Sequence, residues 1–270
     1  MSVHAFRDNV VVITGGSHGI GEEMALAMAR QGARLSLGAR RADELERVAA
    51  ACRAAGSPDV ITVVTDVAEQ ADCARLIETT AAHFRRIDTL VNNAGLGMWA
   101  KVEAVKDFAI FGRLMQVNYL GTVFCTAAAL PHLKKTRGRI VGIASIAGRT
   151  GVPTRSGYVA SKHAMIGFLD SLRIELRGSG VTVTVINPGF VGTGLQARNL
   201  GPDGMPLGTN PVNVDAVMTA VECARLSVQA AGARKRELTM TFRGKIGQWL
   251  KLLLPDVVDG IAAKAIARGK

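Results

Sequence analysis

Val10-Val11-Val12-Ile13-Thr14 runs directly into Gly15-Gly16-Ser17-His18-Gly19-Ile20-Gly21 and then into Glu22-Glu23-Met24-Ala25-Leu26. A β-branched run, a glycine-rich turn and a helical pattern, in that order, make a site for an anionic ligand. The helix N-terminus offers free N–H groups and a favourable dipole to phosphate. Gly15 permits the tight turn, Gly19 lets the backbone approach a pyrophosphate, and Gly21 lets the helix pack close to the strand. Ser17, His18 and Ile20 belong to the same turn. The spacing is Gly-x-x-x-Gly-x-Gly rather than the commoner Gly-x-Gly-x-x-Gly.

The same alternation continues along the chain. Strand-like runs fall at Val10 to Thr14, Arg34 to Leu37, Val60 to Val64, Thr89 to Val91, Arg139 to Ile143, Val181 to Ile186 and Leu238 to Thr241. Helical patterns between them include Ile20 to Gln31, Ala42 to Ala55, Glu69 to Phe84 and Ser156 to Arg177. Continuous apolar strands alternating with helices predict a parallel sheet covered on both faces. With right-handed crossovers this is a Rossmann-type, doubly wound α/β fold of mostly seven strands. No linker divides the chain, so residues 1–270 are expected to form one domain. The stretch 192–211, rich in Gly, Pro and Asn, is too long for an ordinary connection and reads as a substrate lid.

Composition agrees with this class. The chain has 270 residues, of which 48% are hydrophobic, 20% charged and only 4% aromatic. The net charge of +11 fits an anionic cofactor, and no nucleic-acid recognition motif accompanies the scattered basic residues. Cys52, Cys73, Cys125 and Cys223 are widely spaced and read as reduced thiols of a cytoplasmic protein. No His or Cys cluster has metal-ligand spacing. The N-terminus shows no signal-peptide pattern, and no apolar run is long enough to span a bilayer.

Two further stretches carry chemistry. The second predicted strand ends in Gly38-Ala39-Arg40-Arg41, with no acid to hold an unphosphorylated ribose. Arg40, with Arg41 and His18, could clamp a 2′-phosphate by charge-assisted hydrogen bonds. This predicts NADP(H) rather than NAD(H). Farther on, Tyr158 and Lys162 stand four apart in a helical pattern and share one face. An ammonium beside a phenol favours the phenolate, so the tyrosine can pass a proton nearer neutral pH than a free phenol at about 10. Ser145 follows the apolar run Ile140-Val141-Gly142-Ile143 and could hold a substrate oxygen while Tyr158 exchanges the proton.

Taken together and in order, these motifs resemble those of the short-chain dehydrogenase/reductase family from Val10 to about Thr193. Thr14 to Gly21 is similar to the family's cofactor turn. Asp66-Val67 resembles its adenine-contacting pair, though Asp66 alone would also serve as a helix cap. Asn92-Asn93-Ala94-Gly95 resembles its stabilising motif beside the cofactor. Asn118 stands where the family keeps a helix asparagine, and Ser145, Tyr158 and Lys162 match its catalytic residues. Asn187-Pro188-Gly189, with Val191 and Thr193, resembles the segment that meets the nicotinamide. The resemblance implies hydride transfer between a nicotinamide and a carbonyl or alcohol carbon. Tyr158 would be the acid/base and Lys162 would tune it and hold the ribose. Ser145 would bind the substrate oxygen, and Asn118 would support a proton relay. The alternatives are an NAD(H)-dependent member of the family and a non-catalytic dinucleotide sensor.

Leu96, Met98, Ile146, Val152, Phe190 and the lid from Leu195 to Leu207 are the expected substrate walls, with Arg149, Arg155 and Arg198 nearby. Their apolar character predicts an apolar ketone or secondary alcohol. In the tail, Ile246, Trp249, Leu250, Leu253 and Leu254 fall at helical spacing before Pro255. Val258, Ile261, Ala262, Ala265 and Ile266 form a second stripe. From Arg234 onward there are nine basic and three acidic residues. This helical extension, 243–270, is expected to close a pocket or pack on another subunit. Basic amphipathic helices also lie on anionic membranes, so peripheral membrane contact is a second expectation. The family resemblance implies a homodimer or homotetramer.

Overall fold

The computed structural model describes residues 5–193, 198–209 and 217–267. The first half alternates strictly: β1 (Val10–Thr14), α1 (Gly19–Ala29), β2 (Arg34–Ala39), α2 (Ala42–Ala54), β3 (Val60–Val64), α3 (Gln70–Phe84) and β4 (Thr89–Asn92). Then come α4 (Ala109–Met115), α5 (Gly121–Thr136), β5 (Arg139–Ile143), α6 (Ser156–Glu175) and β6 (Thr182–Asn187). The last part holds β7 (Val191–Gly192), β8 (Met218–Thr219), α7 (Ala220–Gly232), β9 (Glu237–Thr239), α8 (Phe242–Leu253) and α9 (Pro255–Ala267). All the runs expected to be strands form strands. The last one stops early because the Thr241 side chain leaves the sheet to cap α8, accepting a hydrogen bond from Gly244 N at 3.0 Å.

Seven strands form one parallel sheet in the order β3-β2-β1-β4-β5-β6-β9. The side-chain period of two sends Val11 and Ile13 to one face and Val12 to the other. On the first face, Met24 and Met28 of α1, Leu45 and Val48 of α2, and Ala224 and Val228 of α7 cover the strands. On the second, Leu76 of α3, Cys125 and Ala129 of α5, and Met165 and Leu169 of α6 do the same. Fully burying one such aliphatic side chain contributes roughly 1.5–3 kcal/mol over leaving it exposed, which explains why the strands read as unbroken apolar runs. The strand order reverses between β1 and β4. Their carboxyl ends therefore diverge into a crevice, the usual ligand position in a sheet of this kind.

Two features were not legible as motifs. Val191↔Met218 and Gly192↔Thr219 form a two-residue parallel ribbon, β7 with β8, too short to show any periodicity. Between α4 and α5 the helix widens into one π turn, Gln116–Leu120. Within the expected lid, residues 198–209 are fastened to the segment after β4. Leu200 N donates to Gly97 O at 2.9 Å, Trp99 N to Leu200 O at 2.9 Å, and Lys106 N to Pro202 O at 2.7 Å. Leu195 lies outside the described residues.

The tail forms helices as expected, but its apolar stripe points outward. Phe242, Trp249 and Leu253 are 76%, 68% and 81% exposed. No described residue of α8 or α9 lines the crevice, so these helices do not close it. Among the described residues no helix is long and apolar enough to cross a membrane.

Candidate active site

The floor of the crevice is made where the turns after β1 and β4 are tied together. Thr14 Oγ1 accepts from Asn93 N at 3.0 Å and from Ala94 N at 3.1 Å. Asn93 Nδ2 donates in return to Thr14 O and Gly15 O at 2.9 and 3.1 Å. Gly15 sits at φ +65°, a region other residues enter at a cost. A Cβ on Gly21 would lie 2.3 Å from Gly15 O, so only glycine lets α1 start this close to the strand. On the neighbouring strand, Asn92 Nδ2 donates to Thr126 Oγ1 at 2.9 Å and fastens β4 to α5. Gly15, Ser17, Gly19 and Ile20 line the crevice with Asn93, Ala94 and Gly95. They leave the α1 N-terminus open to an anion.

One end of the crevice is cationic. His18, Arg40, Arg41 and Arg198 all line it, and among the described residues no carboxylate forms an ion pair with any of the three arginines. The His18 imidazole contacts Ser17 Oγ through Nδ1 at 3.1 Å and the Arg198 guanidinium through Nε2. Burial, then Arg198 and Arg41, pushes His18 below the usual histidine value, so at neutral pH the ring is uncharged and accepts from Arg198. Arg198 was expected near the substrate; the structure puts its guanidinium against His18 at the start of α1 instead. Sequence reading also missed Arg47, which pairs with Glu22 at 2.7 Å and donates to Ser17 O at 3.2 Å. That ion pair pins α2 to the glycine-rich turn. Asp66 and Val67 line the crevice beside Thr65. Asp66 also stiffens its own turn, its Oδ1 accepting from Ala68 N at 3.0 Å.

Toward the other end stand Ser145, Tyr158 and Lys162, all lining the same crevice. Ser145 follows β5 and opens a short 3₁₀ turn over Ile146–Gly148, its Oγ accepting from Ala147 N at 3.2 Å. Tyr158 and Lys162 project from the first turns of α6, with the Lys162 Nζ 5.9 Å from the Tyr158 ring centroid. Lys162 is 3% exposed and donates to Ile143 O at 2.8 Å. Burial lowers its pKa from the ordinary lysine value, and the nearby Tyr158 works in the opposite direction. Pro188, Gly189, Val191 and Thr193 form the facing wall, held to the Ser145 turn by Ile146 N donating to Pro188 O at 3.0 Å.

Of the four expected catalytic residues, Asn118 alone does not line the crevice. It is fully buried in the π turn. Its Oδ1 accepts from Leu96 N at 2.7 Å, and its Nδ2 donates to Leu96 O and Ser161 Oγ, both at 2.8 Å. It lies behind Gly95: a Cβ there would approach Asn118 Oδ1 at 3.4 Å and Lys162 Nζ at 3.7 Å. The side chain thus clamps the Leu96 turn to α6, a role that a spacing in sequence does not reveal.

The expected substrate walls are partly corrected. Leu96, Ile146, Val152 and Phe190 line the crevice. Met98 is fully buried in a separate cluster with Leu114 and Leu200, because the 198–209 segment covers it. Arg149 is neutralised by Glu237 at 3.0 Å and Asp170 at 3.6 Å. Arg155 does line the crevice, with its guanidinium 4.4 Å from the Tyr158 ring centroid.

Known proteins resemble this chain in sequence and in fold. A family model described as short chain dehydrogenase matches residues 9–201. An Arabidopsis thaliana protein named 11-beta-hydroxysteroid dehydrogenase-like 4A is 41% identical over 249 residues, covering 92% of this chain and 82% of the relative. A Dictyostelium discoideum dehydrogenase/reductase SDR family protein 7-like is 32% identical over 265 residues, covering 96% and 82%. Among solved structures, an alcohol dehydrogenase from Thermococcus sibiricus complexed with 5-hydroxy-NADP superposes with a TM-score of 0.74 at 28% identity, over 87% of this chain and 96% of that one. A short chain dehydrogenase/reductase from Burkholderia phymatum in complex with NAD gives 0.80 at 25%, over 94% and 96%.

Proposed function

The chain belongs to the short-chain dehydrogenase family of nicotinamide-dependent oxidoreductases, and we propose that it is an NADP(H)-dependent member acting on a carbonyl or secondary alcohol with an apolar body. The observation that carries this reading is a single crevice. It joins an anion-binding helix N-terminus to Tyr158, Lys162 and Ser145, with four basic side chains at its far end.

The residues fit the cofactor. The α1 N-terminus and the backbone from Gly15 to Ile20 would hold the pyrophosphate, and the missing Cβ atoms at Gly15 and Gly21 let that turn pack against Asn93 and Ala94. Arg40, with Arg41, His18 and Arg198, would meet the ribose 2′-phosphate, where no acid competes. Asp66 and Val67 would flank the adenine; Pro188, Gly189, Val191 and Thr193 would contact the nicotinamide end, beside Asn93, Ala94 and Gly95. When bound, the nicotinamide supplies or accepts a hydride. Tyr158 gives a proton to the substrate oxygen in reduction and takes it back in oxidation. Lys162 favours the phenolate electrostatically and binds the nicotinamide ribose. Ser145 donates a hydrogen bond to the substrate oxygen. Asn118 holds the Leu96 turn and, through it, the gap beside Gly95 and Lys162 by which a water relays the proton to solvent.

Leu96, Ile146, Val152 and Phe190 support an apolar substrate body, and the names of the plant relatives put steroid ketones and alcohols on the first panel to try. The test is oxidation of NADPH and of NADH, followed by reduced-nicotinamide absorbance, against aliphatic, aromatic and steroid carbonyls. Turnover favouring NADPH is expected. Equal or better turnover with NADH would remove the phosphate-clamp assignment, and no turnover with any carbonyl or alcohol would leave the dinucleotide-sensor reading. The same proposal has the exposed stripe of α8 and α9 covered by a second copy of the chain.

A further inference from the structure

Arg155 precedes α6 by one residue and is unlike the other arginines around it. Arg149 and Arg173 both pair with carboxylates. Arg155 makes no ion pair with any described residue, and its Nε, like that of Arg149, is buried without a hydrogen-bond acceptor. Instead its guanidinium lies among three rings, 4.4 Å from the Tyr158 centroid, 5.2 Å from Phe190 and 5.5 Å from Trp99. Ring faces offset only part of the cost of withdrawing a cation from water. Asp66, at the cofactor end, is the one acidic side chain among the described residues that line the crevice. The reacting end therefore holds two cations, Arg155 and Lys162, and no carboxylate.

We propose that Arg155 is an anion subsite for the substrate, so that the substrate is an oxo acid or hydroxy acid whose carboxylate lies a few bonds from the reacting carbon. This rests on the reading that substrate oxygen meets Tyr158, and it narrows the substrate class from an apolar ketone to an apolar chain carrying an acid. The closeness of the guanidinium to the Tyr158 ring sets the short spacing. The planar fork of donors suits a carboxylate bound through two parallel hydrogen bonds. Phe190 and Trp99 stack against the guanidinium and hold that fork in place. Arg155 itself moves no proton; it positions the acid so that the carbonyl reaches Tyr158.

The experiment is calorimetric titration of the full chain, with NADP present, with hexanoate and with methyl hexanoate. The acid is expected to bind roughly ten- to a hundredfold more tightly than the ester, the range of a hydrogen bond to a charged group. Arg155→Gln should abolish that difference and leave ester binding unchanged, while Arg155→Lys should retain part of it. Equal or undetectable binding of acid and ester by the unaltered chain overturns the proposal, and that comparison needs no variant to fold. Loss of both ligands in Arg155→Gln also overturns it, since a purely structural stack on Tyr158 would give that result. Turnover of 3-oxohexanoate against its methyl ester separates the two readings. Absent turnover of every carbonyl would sink the oxidoreductase assignment, and the titration would still decide the anion subsite.

Discussion

Tyr158 and Lys162 divide one task between a half-buried phenol and a buried ammonium. Replacing Tyr158 by Phe removes only the hydroxyl, so kcat is expected to fall by about 10²- to 10⁴-fold while the dissociation constant for NADP(H), measured by fluorescence titration, stays nearly unchanged. Near-full activity would refute the assignment. Lys162 carries a stability cost as well as a function. Its folded-state pKa is lowered by burial, so between that value and about 10.4 the unfolded chain binds more protons than the folded one. The penalty is fully present below the folded pKa and is relieved as pH rises toward the unfolded one. Lys162→Met should therefore lose turnover yet raise the cofactor-free Tm at neutral pH by about 2–4 °C, and the gain over the unaltered chain should shrink as pH rises toward ~10. A lower Tm in the variant would show that the bond to Ile143 O outweighs the buried charge. At the other end, Arg40→Ser should cut kcat/KM for NADPH by roughly ten- to a hundredfold and leave NADH little changed; an equal fall with both cofactors would sink the phosphate clamp.

The strand–turn–helix unit explains why the site was so readable. β1, the glycine-rich turn and α1 are consecutive, and each glycine has a local backbone reason to be there. Thr14 looks like an ordinary strand residue, yet its hydroxyl accepts the N–H groups of Asn93 and Ala94 across the crevice. Thr14→Val keeps the β-branched shape and leaves both donors unpaired. It is expected to cost about 1–3 kcal/mol, seen as a lower midpoint in urea, and to weaken cofactor binding. An unchanged midpoint would mean that water satisfies those donors equally well. The π turn at Gln116–Leu120 makes the converse point. Asn118 was singled out by its place in the motif order, but its clamp on Leu96 and Ser161 joins residues 22 and 43 positions away. No periodicity in a helix predicts that the helix widens to let one side chain turn sideways.

For the molecule as a whole, the reversal of strand order at β1 and β4 gathers residues from six strand ends, β1 to β6, into one crevice, and it leaves the tail outside. The outward stripe on α8 predicts that the full chain sediments as a homo-oligomer and that truncation after Gly244 yields a smaller species by light scattering. Flotation of the full chain, but not the truncated one, with anionic vesicles would assign that face to a membrane instead; identical behaviour of both chains in both assays would leave the stripe without a partner. The sheet, the glycine-rich turn and the pairing of Tyr158 with Lys162 could be read from the residues alone, because each depends on neighbours within a few positions and on a fixed period of two or 3.6. Where the arginines go could not. Arg149, Arg155 and Arg198 read alike in the chain, yet one is neutralised by Glu237, one stacks on Tyr158 and one joins His18 at the far end. A guanidinium on a long side chain takes its role from whichever carboxylate, ring or anion the fold brings within reach, and those partners lie anywhere from three to 180 residues away.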